Sequence, residues 1–243
     1  MKDKVVLVTG AAHRVGASIV RKFHENGAKV VLHYRNSYRA AKEIADELNA
    51  IRNDSVMLVS EDLNDAQSYQ TLIDDTIFQF HRLDVLVNNA SSFFPTPIGE
   101  VNMEQWDDLV SSNMKAPFFL AQAAAPHLQK TAGSIVNIVD IHADKPLKDY
   151  PVYCMAKAGL VMMTKSLAKE LGPDVRVNAV APGAILWPDG MEAEVKEEIL
   201  GRIALKRQGD PEDIAKTVLF LARDASYMTG QIVAIDGGRS LHL

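Results

Sequence analysis

The chain has 243 residues, of which 47% are hydrophobic and 23% charged, with a formal net charge of −5; this suits one substantial α/β unit and is tight for two. No Lys/Arg-rich arm is present and no apolar run approaches the roughly 18–20 residues of a membrane span, which argues against nucleic acid and membrane partners. Met1-Lys2-Asp3-Lys4-Val5 reaches a strand without room for a signal peptide, and the single cysteine, Cys154, excludes an internal disulfide; both point to a reducing cytoplasm.

Short β-branched runs alternate with longer stretches of helical period. In chain order the sequence predicts strand Val5–Val8, helix Gly16–Glu25, strand Val30–Leu32, helix Arg39–Ala50, strand Val56–Val59, helix Tyr69–Phe80 and strand Val85–Val87. Then come helix Trp106–Leu128, strand Ile135–Ile138, helix Pro151–Leu171, strand Val175–Val180, helix Pro211–Ala222 and strand Ile232–Ile235. The strand runs are nearly continuous in Val, Ile and Leu, which suits strands covered on both faces of a parallel sheet. Strands separated by helices give right-handed βαβ units, hence an α/β, doubly wound Rossmann fold in a single domain over residues 1–243. Asp65 precedes one helix, and Asp210-Pro211 sets a cap before a first-turn proline. The interval 184–206 breaks the rhythm and is expected to cover the substrate, with Met191–Arg202 as a mobile helical part of that cover. Cys154 is read as a small filler beside Tyr153.

After the first strand comes Thr9-Gly10-Ala11-Ala12-His13-Arg14-Val15-Gly16. Gly10 permits a tight turn and Gly16 lets the helix start lie close to the sheet. The N–H groups of the opening turn, around His13, Arg14 and Val15, together with the helix dipole, favour a pyrophosphate. A glycine pair alone marks many strand–turn–helix corners; its place in the first βαβ unit is what makes it a dinucleotide fingerprint. Arg14 stands where a third glycine is common, either as a solvated cation or as a guanidinium over the phosphates within reach of an anionic or amide-like ligand.

The second strand ends Leu32-His33-Tyr34-Arg35-Asn36-Ser37, without the acid that usually accepts from the ribose 2′-hydroxyl of NAD. Arg35, with Tyr34, Asn36 and Ser37 around it, suits a 2′-phosphate, so NADPH is the preferred cofactor. Asp62-Leu63 after the third strand is placed to hold the adenine edge, and Asn88-Asn89-Ala90 after the fourth to approach the cofactor's ribose. No metal is expected.

Taken together, Thr9-Gly10…Gly16, Asn88-Asn89-Ala90, Asn113, Tyr153-x-x-x-Lys157, Pro182-Gly183 and Asp236-Gly237-Gly238 resemble the short-chain dehydrogenase/reductase family from about Val5 to Gly238. The resemblance implies a seven-stranded parallel sheet, a nicotinamide cofactor and a homotetramer built on two long helices. Three features further resemble pteridine reductases and bacterial dihydromonapterin reductases: Arg14 between the glycines, the run Asn89-Ala90-Ser91-Ser92-Phe93-Phe94-Pro95-Thr96-Pro97, and Asp140 where relatives carry a catalytic Ser. The ending Arg239-Ser240-Leu241-His242-Leu243 departs from the trypanosomatid pattern of an aromatic and a near-terminal Arg.

Tyr153 and Lys157 at i, i+4 share a helix face. A tyrosine titrates near ~10, and Lys157 with an oxidised nicotinamide is expected to lower it toward neutrality. The resemblance gives Lys157 a hold on the nicotinamide ribose and gives Asn113 support of a proton-bearing water chain. Asp140 divides the substrate classes, because a carboxylate beside a developing oxyanion repels it, whereas reduction of a C=N bond needs a proton on nitrogen. The competing role for Asp140 is to cap the following loop. Phe93 suits stacking on a planar pterin, Ser91 and Arg14 suit its amino and oxo edge, and Trp187 either lines the pocket or anchors its loop. The expected activity is NADPH-dependent reduction of dihydropterins. The alternatives are a short-chain carbonyl or 3-oxoacyl reductase and a non-catalytic NADP-sensing regulator.

Overall fold

The computed structural model describes residues 1–187 and 190–242. Seven strands form one parallel sheet: β1 (Val5–Val8), β2 (Lys29–Tyr34), β3 (Val56–Ser60), β4 (Val85–Asn88), β5 (Ser134–Ile138), β6 (Arg176–Pro182) and β7 (Ile232–Ile235). Their order is β3-β2-β1-β4-β5-β6-β7, as expected of a doubly wound sheet. Successive residues of a strand face opposite sides, and this explains the unbroken apolar runs. Val6 and Val8 pack with Phe23, Ile44 and Ile214 on one face, while Val5 and Leu7 pack with Leu72, Leu120 and Leu128 on the other.

The helices are α1 (Arg14–Glu25), α2 (Tyr38–Ile51), α3 (Ser68–Phe80), α4 (Met103–Val110), α5 (Ala116–Thr131), α6 (Pro151–Leu171), α7 (Ala193–Arg202) and α8 (Pro211–Arg223). Asp210 caps α8 in a reciprocal box with Asp213, as its place before Pro211 predicts. Asp65 does not cap α3: its carboxylate accepts from Gln67 N–H at 3.0 Å, one turn early, and the helix starts at Ser68.

The single helix expected over Trp106–Leu128 is divided. It starts early, at Met103, because Asn102 and Gln105 form a capping box. It is then interrupted by a π-helical turn, Ser111–Lys115, before α5 begins. The wide turn carries Asn113 inward, fully buried, where its amide donates to Leu109 O at 3.0 Å and to Ser92 O at 2.9 Å. Hydrophobic period cannot show such a bulge, because a polar side chain placed by tertiary bonds is what holds it open.

The strand order reverses between β1 and β4, so the carboxyl ends of these strands open a crevice where ligands bind in sheets of this type. All the residues singled out from the sequence lie around this edge or in the loops above it. No described helix is long and apolar enough to cross a membrane.

Candidate active site

The floor of the crevice is made by backbone. Gly10 has φ +60°, and a Cβ there would stand 2.8 Å from Ala90 Cα; a Cβ on Gly16 would stand 2.6 Å from Gly10 O. Both positions therefore require glycine, one for conformation and for space, the other for space alone. Thr9 Oγ accepts from the N–H groups of Asn89 (2.9 Å) and Ala90 (3.0 Å), and Asn89 returns its amide to Thr9 O and Gly10 O. The first and fourth strand ends are thus bolted together. His13 and Arg14 are exposed at the head of α1 and Val15 is half-buried. Arg14 holds φ +52°, a left-handed conformation unusual outside glycine, and its guanidinium donates to Leu186 O at 3.4 Å.

At the adenine side Arg35 and Asn36 are exposed and Ser37 half-buried, while Tyr34 is buried with its ring 6.2 Å from that of Tyr38. Arg35 Nη1 lies 3.9 Å from Asp62 Oδ1. At that separation, with both groups exposed, the pair contributes little and leaves Arg35 available to a phosphate. Leu63 is buried and its carbonyl accepts from the Tyr69 hydroxyl at 2.9 Å, so Leu63 can meet a ligand only through its main chain. Pro182 ends β6, and Gly183 N–H donates to Ile235 O at 3.0 Å.

The catalytic side is made by side chains. Asp140 follows β5, and its two oxygens are used differently: Oδ1 accepts from His142 N–H at 2.8 Å, and Oδ2 accepts from the Tyr153 hydroxyl at 2.7 Å. Capping and pairing, set against each other in the sequence, occur in one residue. Tyr153 is only 4% exposed and Lys157 2%. The Lys157 ammonium donates to Ile138 O at 2.9 Å and lies 5.7 Å from the Tyr153 ring centroid.

The Tyr153 phenol is pushed well above its ordinary value, first by burial, then by the charge and hydrogen bond of Asp140. The Lys157 ammonium is turned to the Ile138 carbonyl. Burial lowers Lys157 to about 8, against the opposing pull of Asp140.

Asn113 is held by protein groups. Its carbonyl accepts from Ser91 Oγ at 2.7 Å while its amide is held by Ser92 O and Leu109 O. The side chain pins the loop that follows β4. The same bond occupies the Ser91 proton and leaves that hydroxyl's lone pairs for a ligand.

Phe93 is 47% exposed beside the pair. Its ring stacks on Tyr150 at 4.6 Å and meets Tyr153 edge-on at 4.8 Å. Tyr150 was not singled out from the sequence; its signal was its place one turn before Tyr153. Trp187 is half-buried, and the two residues after it lie outside the described residues. Of the expected cover, α7 begins at Ala193 instead of Met191 and buries none of its side chains. Its flanks are anchored by buried Ile185 and Ile203. Among the described residues no metal-ligating cluster occurs. A cleft of about 480 Å³ at the opposite edge of the sheet, lined in part by Lys29, Arg52 and Ser55, contains none of these groups.

Comparison with known proteins agrees with this geometry. The profile of a family described as enoyl-(acyl carrier protein) reductase matches residues 10–240. The chain is 37% identical over 278 aligned positions to pteridine reductase 1 of Leishmania tarentolae, covering 98% of this chain and 96% of that protein. It is also 37% identical over 240 residues to a 3-oxoacyl-(acyl-carrier-protein) reductase of Staphylococcus aureus, covering 97% of each. A probable galactose dehydrogenase of Rhizobium meliloti is 35% identical over 245 residues, covering 98% of this chain and 95% of that protein. The chain belongs to the short-chain dehydrogenase/reductase family of oxidoreductases.

Proposed function

We propose, from that family membership, that the protein is an NADPH-dependent pteridine reductase acting on dihydropterins, with dihydrofolate as a further candidate. The observation that carries this reading is the 2.7 Å hydrogen bond from the Tyr153 hydroxyl to Asp140. Identity does not choose between substrates, since a pteridine reductase and a 3-oxoacyl reductase match equally well. The chemistry of the pair favours the pterin. A carboxylate touching the proton donor opposes the oxyanion of ketone reduction and tolerates a nitrogen that accepts a proton.

The residues present fit a nicotinamide cofactor. The Gly10–Gly16 turn leaves space that any Cβ would fill, the opening amides of α1 suit the pyrophosphate, and exposed Arg35 suits a 2′-phosphate. Asn89, Ala90, Pro182 and Gly183 border the nicotinamide end. When bound, the cofactor supplies the hydride. The chain's own part is the proton. Burial and Asp140 keep the phenol protonated, and a carboxyl group that shares its proton with Tyr153 replaces the one the phenol hands to nitrogen, so that the charge is left on Asp140. Buried Lys157 sets the positive field beneath the pair. Phe93 offers a flat face to a heterocycle, with Ser91 and Arg14 at its rim and Trp187 and α7 above.

Arrangement as a homotetramer through α5 and α6 belongs to the same reading. Phe118, Met155 and Met162 expose large apolar side chains on these helices, beside a groove of about 380 Å³ that includes Met114, Phe119 and Met163.

The test is NADPH and NADH oxidation with a panel of dihydropterins, dihydrofolate, simple ketones and a 3-oxoacyl thioester. The reading requires turnover of dihydropterins and a kcat/KM for NADPH at least about tenfold above that for NADH. Ketone or thioester turnover without pterin turnover assigns the carbonyl-reductase alternative. Tight NADPH binding with no turnover at all assigns the regulator.

A further inference from the structure

His33 directly follows the apolar run Val30–Leu32 of β2, and it is only 2% exposed. Its Nδ1 accepts from Gly10 N–H at 3.1 Å, and its Nε2 lies 3.0 Å from Glu61 O. These partners fix the ring's state. A backbone N–H can only donate, so Nδ1 carries no proton; a carbonyl can only accept, so Nε2 carries one. The main chain of the same residue receives Ala11 N–H at 2.8 Å. Two consecutive amides of the glycine turn therefore end on a single residue, one on its side chain and one on its carbonyl.

We propose that His33, held as its neutral Nε2–H tautomer, is the positioning residue that sets the cofactor's phosphate-binding turn and ties it to the adenine rim. The ring spans three adjacent strand ends: the turn after β1, β2 itself, and Glu61 after β3, directly before Asp62-Leu63. It withdraws the Gly10 and Ala11 amides from anion binding and leaves the phosphates to the amides that open α1. It also holds Gly10 in the left-handed conformation that the approach to Ala90 demands. Protonation at Nδ1 would set N–H against N–H and release the turn. Burial opposes that charge and lowers the His33 pKa, against the smaller opposing effects of Glu61 and Asp62. Arg35, which lies against Asp62, is the cation facing the same rim.

The proposal rests on the nicotinamide-cofactor reading, and two substitutions separate its halves. In His33→Asn the amide oxygen takes the place of Nδ1 and keeps an acceptor for Gly10. In His33→Gln the longer amide takes the place of Nε2, keeping the bond to Glu61 and losing the one to Gly10. NADPH dissociation constants are read from nicotinamide fluorescence, with kcat at saturating cofactor and with thermal unfolding as a check on folding. The Gln variant is expected to bind NADPH about tenfold more weakly with kcat within about twofold, and the Asn variant to stay within about threefold of the parent. Nitrogen-15 NMR of the unsubstituted protein is expected to show one neutral ring protonated at Nε2. Equal affinity in all three proteins, equal loss in both variants, or a ring protonated at Nδ1 overturns the proposal. If the unsubstituted protein binds neither NADPH nor NADH, the cofactor reading itself falls, and its own arm of the experiment reports this separately.

Discussion

The glycine turn at the head of α1 and the Asp140–Tyr153–Lys157 group at the foot of α6 lie along one edge of the same sheet, yet they are built in opposite ways. The turn is defined by backbone: two glycines that admit no Cβ, Gly10 and Ala11 amides already bonded to His33, and Thr9 and Gly10 carbonyls that accept from Asn89. Its cations, Arg14 and Arg35, remain in water. The catalytic group is defined by buried charge: a phenol pushed up, an ammonium pushed down, and a carboxylate bonded on both oxygens. The difference teaches where each function keeps its free energy. Binding a large anion needs shape and free donors, which backbone supplies at little cost, whereas moving a proton needs groups held away from their solution behaviour.

The largest test of this contrast is Asp140→Ser. If the catalytic side alone carries proton delivery, pterin kcat/KM falls about 100-fold while the NADPH dissociation constant changes less than about twofold. Unchanged pterin kinetics would remove the proposed chemistry.

Next in size is Lys157→Met, read through stability against pH. Burial lowers the lysine to about 8 from its ordinary 10.5. Between these values the unfolded chain binds the proton that the folded chain has released, so stability rises with pH through this window. Up to the phenol's ordinary value near 10, the gain is at most about 2–3 kcal/mol. Above that value Tyr153, which the fold keeps protonated, turns the slope the other way. Urea unfolding of the parent from pH 8 to 10 should show the rise, and the variant should lack it. The same slope in both proteins would mean that the buried ammonium is not the source.

The smallest effect is expected at Arg14→Gly. The arginine holds φ +52°, a conformation that costs an L-residue roughly 1–2 kcal/mol. Glycine should raise Tm by about 2–4 °C in a chain of this length while weakening pterin binding. Calorimetry beside pterin KM checks both signs. A variant with lower Tm would show that the guanidinium stabilises the turn more than its backbone strains it.

Much of the fold was legible because period and punctuation are local. The continuous Val, Ile and Leu runs marked all seven strands, and Asp210-Pro211 marked the start of α8. What escaped was set by contacts distant in sequence. The π turn at Ser111–Lys115 depends on Asn113 reaching back to Ser92. Asp65 has the right residue type for a cap, and its carboxylate closes an earlier turn. Tyr150 entered the site only through its stack on Phe93, a residue 57 positions earlier by the numbering. His33 follows the run Val30–Leu32 and carries no local signal of its bond to Gly10.

The sequence by itself determined the alternation of strands and helices, the two glycines, the missing acid after β2 and the spacing of Asp140, Tyr153 and Lys157. These are properties of residue type and short-range order, and no neighbour across the sheet can alter them. Only the tertiary structure decided what those groups are chemically. It turned the lysine to a carbonyl instead of the phenol, bonded the carboxylate to the phenol, and closed Asn113 off inside the protein. Proton affinity and hydrogen-bond direction depend on burial and on the atoms within a few ångströms, which are brought together only when the chain folds.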